Sequence, residues 1–383
     1  SWWDGTGLSW MLMDVASREI RNLTEDIPLP FHDLYDDHPD ELRSYGSAGW
    51  LEDDAAFLVY DEFDIWALDP DGGSPRNLTE GVGRANDIRF RYVDLSGGGG
   101  GGRFGFGGGG GGSEGIDPNE DALLSAFHKY TKASGYYRDR FDGSQEPQRL
   151  IMGDYRLGSV QKPEDADLYV VTRQTFREFP DLWLTDPDFS EMEKISDANP
   201  QQEDYSWGDA EIIDWVSNDG IPLQGILVKP DGFDPNKKYP MMVYFYERSS
   251  DGLHSYRPPS PGTSVNQSFY VSRGYVYFVP DIPYEIGHPG ESAIDAVVPG
   301  VLKIVDMGFV DKDRIGAQGH SWGGYQLAYM ITRTNLFAAV EGGAPVSNCL
   351  LYTSDAADDL VSVEFSGVGG GVWGGGGGGG GGG

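Results

Sequence analysis

Cysteine is almost missing from this chain: of 383 residues only Cys349 carries a thiol, so no disulfide can form within it and the redox compartment stays open. Long apolar runs are missing too. The longest, such as residues 240–246, fall far short of the roughly 18 residues a membrane span needs, so no membrane span is expected. Lysine is scarce, at nine of the 28 basic side chains, and no basic cluster is longer than Lys237-Lys238. Against them stand 61 acidic side chains, for a net charge of −33, and a chain so poor in cations is disfavoured as a nucleic-acid partner. Such a surface is well solvated and suits high salt, where self-repulsion is screened. The chain opens with Ser-Trp-Trp rather than with Met and a charged, apolar leader, so the lack of a signal peptide says nothing of targeting.

Glycine is the one residue in excess. Of 57 glycines, 13 fall in residues 97–112 and 14 in residues 367–383, leaving an ordinary load elsewhere. The first run satisfies G-x-G-x-x-G trivially, but it lacks the Lys-Ser/Thr of a P-loop and an apolar strand leading into a helix. A flexible linker is one reading. The flanks favour another: residues 86–94 alternate like a strand and residues 123–127 resume the apolar pattern, as if one stretch had been overwritten. No cofactor is expected, and no pair of histidines has the spacing of metal ligands.

The first half repeats itself. Asp64-Ile-Trp-Ala-Leu-Asp-Pro-Asp reads as a strand and a forced turn, and Asp181-Leu-Trp-Leu-Thr-Asp-Pro-Asp188 copies it 117 residues on. Arg21-Asn-Leu-Thr24 recurs 55 residues later as Arg76-Asn-Leu-Thr79. A unit near 58 residues predicts part of a β-propeller over residues 1–206, with fewer than four blades and the remainder upstream of Ser1. Asn22, Asn77 and Asn266 match the glycosylation sequon, although the repeat explains the first two better.

From Trp207 the pattern changes. Strands are expected at 211–217 and 221–228 around the hairpin signal Asn218-Asp-Gly220, then at 241–246, 275–279, 314–318 and 338–340, with helices at 291–307 and 325–334. That alternation predicts a parallel sheet with helices on both faces. Gly319-His-Ser-Trp-Gly323 fits the G-x-S-x-G nucleophile elbow, in which Ser321 sits on a strained strand-to-helix turn and a side chain at either glycine would collide with backbone. The pattern alone arises by chance in roughly a fifth of chains this long. Gly111-Gly-Ser-Glu-Gly115 also fits it, but only Ser321 has a strand before it and a helix after it, so Ser321 is the candidate nucleophile.

Asp311-Lys-Asp-Arg-Ile-Gly-Ala-Gln-Gly-His-Ser-Trp-Gly-Gly-Tyr325, with Lys238-Tyr-Pro240, Tyr244-Phe-Tyr246, Val279-Pro-Asp281 and Gly343-Ala-Pro-Val-Ser347, resembles the prolyl oligopeptidase family of serine peptidases, near its bacterial dipeptidyl-peptidase and acylaminoacyl-peptidase branches. The resemblance implies a multi-domain chain: a partial β-propeller at 1–206, interrupted at 97–112, then a C-terminally truncated α/β-hydrolase domain at 207–348 and a non-family, Gly-rich tail at 349–383. It implies hydrolysis of peptide bonds through an acyl-enzyme on Ser321, with a peptide as the partner. It also implies an oxyanion held by the Tyr246 hydroxyl and the Trp322 backbone N–H, and Val346 in the wall of the pocket for the residue before the scissile bond. A core aromatic at a strand end and an ordinary core valine are the plainer readings of Tyr246 and Val346. A periplasmic or extracellular setting is suggested by the resemblance alone.

One departure matters. In α/β-hydrolases the acid and then the histidine follow the serine, well downstream. Here His32, His38, His128, His254, His288 and His320 all lie at or before the elbow, and Asp355, Asp358 and Asp359 come too early to match the family's acid. His320 adjoins the serine, but an elbow points neighbouring side chains apart. The chain as given is therefore expected to be inactive. An esterase or lipase on the same fold, and a propeller-based binding protein with a vestigial hydrolase half, are the alternatives.

Overall fold

The alternating residues and turn signals of the first half fold into four successive antiparallel sheets in the computed structural model, which describes residues 1–95, 115–259, 262 and 264–346. The first sheet has three strands, β1 (Trp2–Asp4), β2 (Ser9–Met13) and β3 (Ile20–Asn22). The second has β4 (Ser47–Trp50), β5 (Phe57–Tyr60), β6 (Ile65–Leu68) and β7 (Arg76–Asn77), followed by the single-turn α1 (Val82–Ala85). The third holds β8 (Ile88–Tyr92), β9 (Ala122–His128), β10 (Ser134–Asp139) and β11 (Gln148–Gly153). The fourth holds β12 (Arg156–Leu157), β13 (Tyr169–Gln174), β14 (Asp181–Thr185) and β15 (Met192–Lys194). Both flanks of the first glycine run are strands, β8 and β9, and they pair with each other. The run itself, the second G-x-S-x-G at Ser113 and the tail with Asp355, Asp358 and Asp359 lie outside the described residues.

The repeat has a physical cause. The Thr24 hydroxyl accepts from the Trp10 N–H at 3.1 Å and the Thr79 hydroxyl from the Ile65 N–H at 3.1 Å, 14 residues back in both cases. Ser196 does the same for Leu182 at 2.8 Å, a third copy hidden in sequence because Lys-Ile-Ser replaces Asn-Leu-Thr. The residue before each hydroxyl closes the hairpin with a backbone bond, Leu23 to Trp10, Leu78 to Ile65 and Ile195 to Leu182. In the later copies the hydroxyl also donates to an aspartate at or just before the start of the strand, Thr79 to Asp64 at 2.8 Å and Ser196 to Asp181 at 2.6 Å. One small side chain thus pairs a strand N–H and a buried carboxyl at once. Asn266, the third sequon, caps α2 (Gln267–Val271) by accepting from the Phe269 N–H.

The second half forms one six-stranded sheet in the order β16 (Asp209–Val216), β17 (Pro222–Lys229), β19 (Val276–Pro280), β18 (Tyr239–Tyr244), β20 (Val310–His320) and β21 (Ala339–Gly343). The expected parallel sheet needs correcting, because only the β19-β18-β20-β21 portion is parallel. The tight turn at Asn218-Asp-Gly220, with Gly220 at φ 92°, folds β16 back on β17, and β17 in turn runs antiparallel to β19. Helices α3 (Pro289–Asp306) and α4 (Trp322–Met330) share one apolar core with Val276 and Phe278 of β19, while Tyr277 and Val279 face the opposite core, where Val271 of α2 meets Phe176 and Trp207. The alternation of β19 therefore serves two layers.

The two halves touch through charge. Asp251 accepts from Lys132 at 2.8 Å and Arg89 at 3.0 Å, and Lys132 is buried. Partial burial opposes ionisation of Asp251, but these two cations outweigh it and hold its carboxyl below the usual carboxylate range.

Two outcomes are expected. Thr79→Val leaves the Ile65 N–H and a fully buried Asp64 short of a partner, and should cost about 2 kcal/mol in denaturant unfolding, with Thr79→Ser restoring most of it. Because the Asp251 pKa is depressed by folding, its contribution is present above the unfolded value and lost as pH falls through the folded one. Denaturation midpoints measured from neutral pH to below the carboxylate range should show an acid loss that Asp251→Asn reduces.

Candidate active site

The bend at Ser321 follows from three glycines that admit no side chain. A Cβ on Gly319 would lie 2.1 Å from the Gly323 carbonyl oxygen, one on Gly323 would lie 2.5 Å from the Phe245 oxygen, and one on Gly324 would lie 2.8 Å from the Gly343 oxygen. β20, α4 and the ends of β18 and β21 therefore meet backbone against backbone. The turn that joins strand to helix in that space puts Ser321 at φ 53°, ψ −110°, a region costly for any residue with a side chain. The Ser321 N–H donates to the Gly343 oxygen at 2.8 Å, and its own carbonyl accepts from Tyr325 at 3.1 Å and Val346 at 3.4 Å.

Trp322, Tyr246 and Val346, named from sequence, lie around this bend. Trp322 is the first residue of α4, so its N–H stands outside the helical ladder, next to the serine. Tyr246 lies two residues beyond β18 rather than on it, half-buried, with its ring edge beside Gly323. Val346 is half-buried and bonded to Ser321 through backbone. His320 is turned toward β21, where its Nδ1 is buried without a hydrogen-bond partner and would lie 2.8 Å from a Cβ on Gly343. His254 sits at the contact between the halves, its Nε2 3.3 Å from the Thr131 oxygen. No group of three or more His, Cys, Asp or Glu among the described residues could hold a metal ion.

Two other residues at the site, Gln326 and Tyr284, were not singled out from sequence. Gln326, fully buried, donates from Nε2 to the Tyr246 carbonyl at 2.9 Å, and the Tyr284 hydroxyl donates to the same carbonyl. The Tyr284 ring meets the Trp322 ring edge-on at 5.8 Å, and Trp322 stacks on Tyr325. Burial pushes the Tyr284 hydroxyl well above the usual tyrosine range, so it stays protonated and able to donate. Asp281 of Val279-Pro-Asp281 is buried and accepts from the N–H groups of Ser249 and Ser250 and from the Ser250 hydroxyl, pinning the loop that leaves Tyr246.

The loop after β3 reaches this region too. Asp37 accepts from the Tyr284 N–H at 2.9 Å, His38 bridges Asp36 at 2.8 Å and Glu247 at 3.6 Å, and the Arg248 guanidinium lies 4.8 Å from the Tyr35 ring centre. Burial raises the Asp37 carboxyl despite the Tyr284 N–H and the nearby Arg248, whereas the Asp36 hydrogen bond raises the His38 imidazole. A serine on a strained turn with a helix N–H and a tyrosine beside it is an arrangement that acyl transfer can use.

Residues 261–371 match the family model described as the prolyl oligopeptidase family. Dipeptidyl peptidase 8 of Mus musculus is 31% identical over 231 residues, covering 57% of this chain and 23% of that protein. Prolyl endopeptidase FAP of Homo sapiens is 29% identical over 155 residues, covering 38% and 20%. Among solved structures, a putative dipeptidyl aminopeptidase IV from Bacteroides ovatus superposes with a TM-score of 0.57 at 17% identity, covering 81% of this chain and 45% of that one. The acylaminoacyl peptidase of Pyrococcus horikoshii superposes with a TM-score of 0.52 at 15% identity, covering 88% and 48%. The chain spans less than a quarter of these curated relatives and about half of these solved chains.

Glycine adopts the Ser321 backbone geometry at a lower cost than alanine, which carries the same Cβ as the native serine. Ser321→Gly should therefore be more stable than Ser321→Ala by about 1 kcal/mol or more in denaturant unfolding of this chain. Equal stabilities would show that the turn is unstrained.

Proposed function

The chain is a relative of the prolyl oligopeptidase family, and on that premise we propose that it is part of a serine peptidase in which Ser321 attacks the carbonyl of a peptide bond. The observation that carries this reading is the elbow itself, with φ 53° at Ser321 enforced by Gly319 and Gly323. In the proposed reaction the Ser321 oxygen adds to the carbonyl carbon, and the negative charge that develops on the carbonyl oxygen is met by the Trp322 N–H and the Tyr246 hydroxyl. Collapse of that adduct expels the amine and leaves an acyl-enzyme that water hydrolyses. Val346, joined to the Ser321 carbonyl, lines the pocket for the side chain before the scissile bond.

In the same reading the three four-stranded sheets of residues 1–206 are blades of a β-propeller and the three-stranded sheet before them is part of another, residues 207–348 are the first part of an α/β-hydrolase domain, and residues 349–383 are foreign to the family. No described sheet mixes strands from the two halves, which supports that division. The family match runs to residue 371, past the proposed end of kinship at 348. A proton must leave the serine for the attack to occur, and all six histidines lie at or before the elbow, so the base and its acid are assigned to sequence outside this chain.

Two outcomes are expected. The isolated chain should give no burst of product from peptide nitroanilides, and a burst abolished by Ser321→Ala would overturn the inactive-fragment reading. The longer protein that contains it should be labelled covalently by a fluorophosphonate, with Ser321→Ala unlabelled. Preference for short esters over peptides in that protein would favour the esterase reading, and no labelling would favour a binding protein.

A further inference from the structure

We propose that Tyr284 and Gln326 are positioning residues that fix the oxyanion donor Tyr246 relative to the nucleophile by clamping its backbone carbonyl. The inference rests on the peptidase reading above and adds the device that presets one of its two donors. Tyr246 lies beyond the last ladder bond of β18, so the sheet no longer dictates where its backbone points. Its carbonyl instead receives two donors from different elements, Nε2 of Gln326 on α4 at 2.9 Å and the hydroxyl of Tyr284 in the segment before α3, and Gln326 and Tyr284 are bonded to each other.

The placement of these donors ties both halves of the oxyanion site together. Gln326 stands on the helix that begins at Trp322, so the strand end carrying one donor is bonded to the helix supplying the other. Tyr284 presses its ring against the Trp322 indole while its hydroxyl holds Tyr246. Tyr284 is in turn held from outside the sheet, since its N–H donates to Asp37 in the loop after β3. The buried Gln326 has a cost: its Oε1 finds no hydrogen-bond partner, and an apolar side chain there would avoid burying an unpaired carbonyl. Both hydrogens of its amide go to this clamp.

A donor that is already aimed when the charge develops stabilises the transition state without reorganising, so misplacing it lowers kcat more than substrate binding. In the full-length protein, with the peptide nitroanilide that the wild type turns over best, Tyr284→Phe and Gln326→Leu are each expected to lower kcat about tenfold or more, with KM changed less than about twofold. Outright loss of an oxyanion donor costs about 100- to 1,000-fold, which bounds the effect. The decisive measurement repeats both substitutions in a Tyr246→Phe background. There the donor they place is gone, so each should lower kcat less than twofold further. Tyr284→Phe keeps the ring against Trp322, so the test stands even where Gln326→Leu fails to fold. Losses in the Tyr246→Phe background as large as in the wild type, or a kcat unchanged in both single variants, overturn the inference while leaving Ser321-dependent turnover intact. Turnover that survives Ser321→Ala overturns the peptidase reading and this inference with it.

Discussion

Backbone packed directly on backbone at the elbow is the constraint from which the rest of the site follows. The Gly323 carbonyl occupies the space where a Gly319 side chain would begin, and the Phe245 carbonyl occupies that of Gly323. Nothing bulkier than hydrogen fits at either place, so α4 can start close against the ends of β18 and β21. The joining residue must then adopt a left-handed backbone, and that backbone sets Ser321 at the point where strand gives way to helix.

Close approach alone would leave the other half of the site adrift, because Tyr246 has already left the ladder of β18. Buried polar groups finish the placement where the sheet stops. Asp281 gathers the Ser249 and Ser250 amides behind Tyr246, while Gln326 and Tyr284 fix its carbonyl from the side of α4. Polar groups in a dry interior hold direction as well as distance, and apolar contacts do not. The loop after β3 is joined to this arrangement through Asp37, so docking of the first half and geometry of the candidate site are coupled.

The local chemistry was largely legible in the sequence. The hairpin at Asn218-Asp-Gly220, the strands of the second half and the strand-turn-helix around Ser321 follow from turn residues and apolar periods that act over a few positions. The Asn-Leu-Thr repeat was legible as a repeat, but its function was not: the hydroxyl of Thr24 or Thr79 works across a gap of 14 residues, and Ser196 performs the same task in a different triplet. Tyr284 and Gln326 gave no signal, since an aromatic after a strand and a glutamine in a helix read as ordinary until the carbonyl between them is seen. The direction of β17 against β19 was likewise missed, because a run of apolar residues does not say which way its neighbour runs.

What the sequence determined by itself was the bend at Ser321, the all-β character of the first half, the mixed strand and helix order of the second, and the lack of any histidine beyond residue 320. These depend on residue size, backbone freedom and local period, all written within short windows. The tertiary structure alone decided that Tyr284, Gln326 and Asp37 join Tyr246 and Trp322, from positions as far apart as 37 and 326. Convergence of that kind is set by sheet order and by which buried donors find which acceptors. Those pairings are chosen by the whole fold, since each buried polar group takes the partner that packing brings to it.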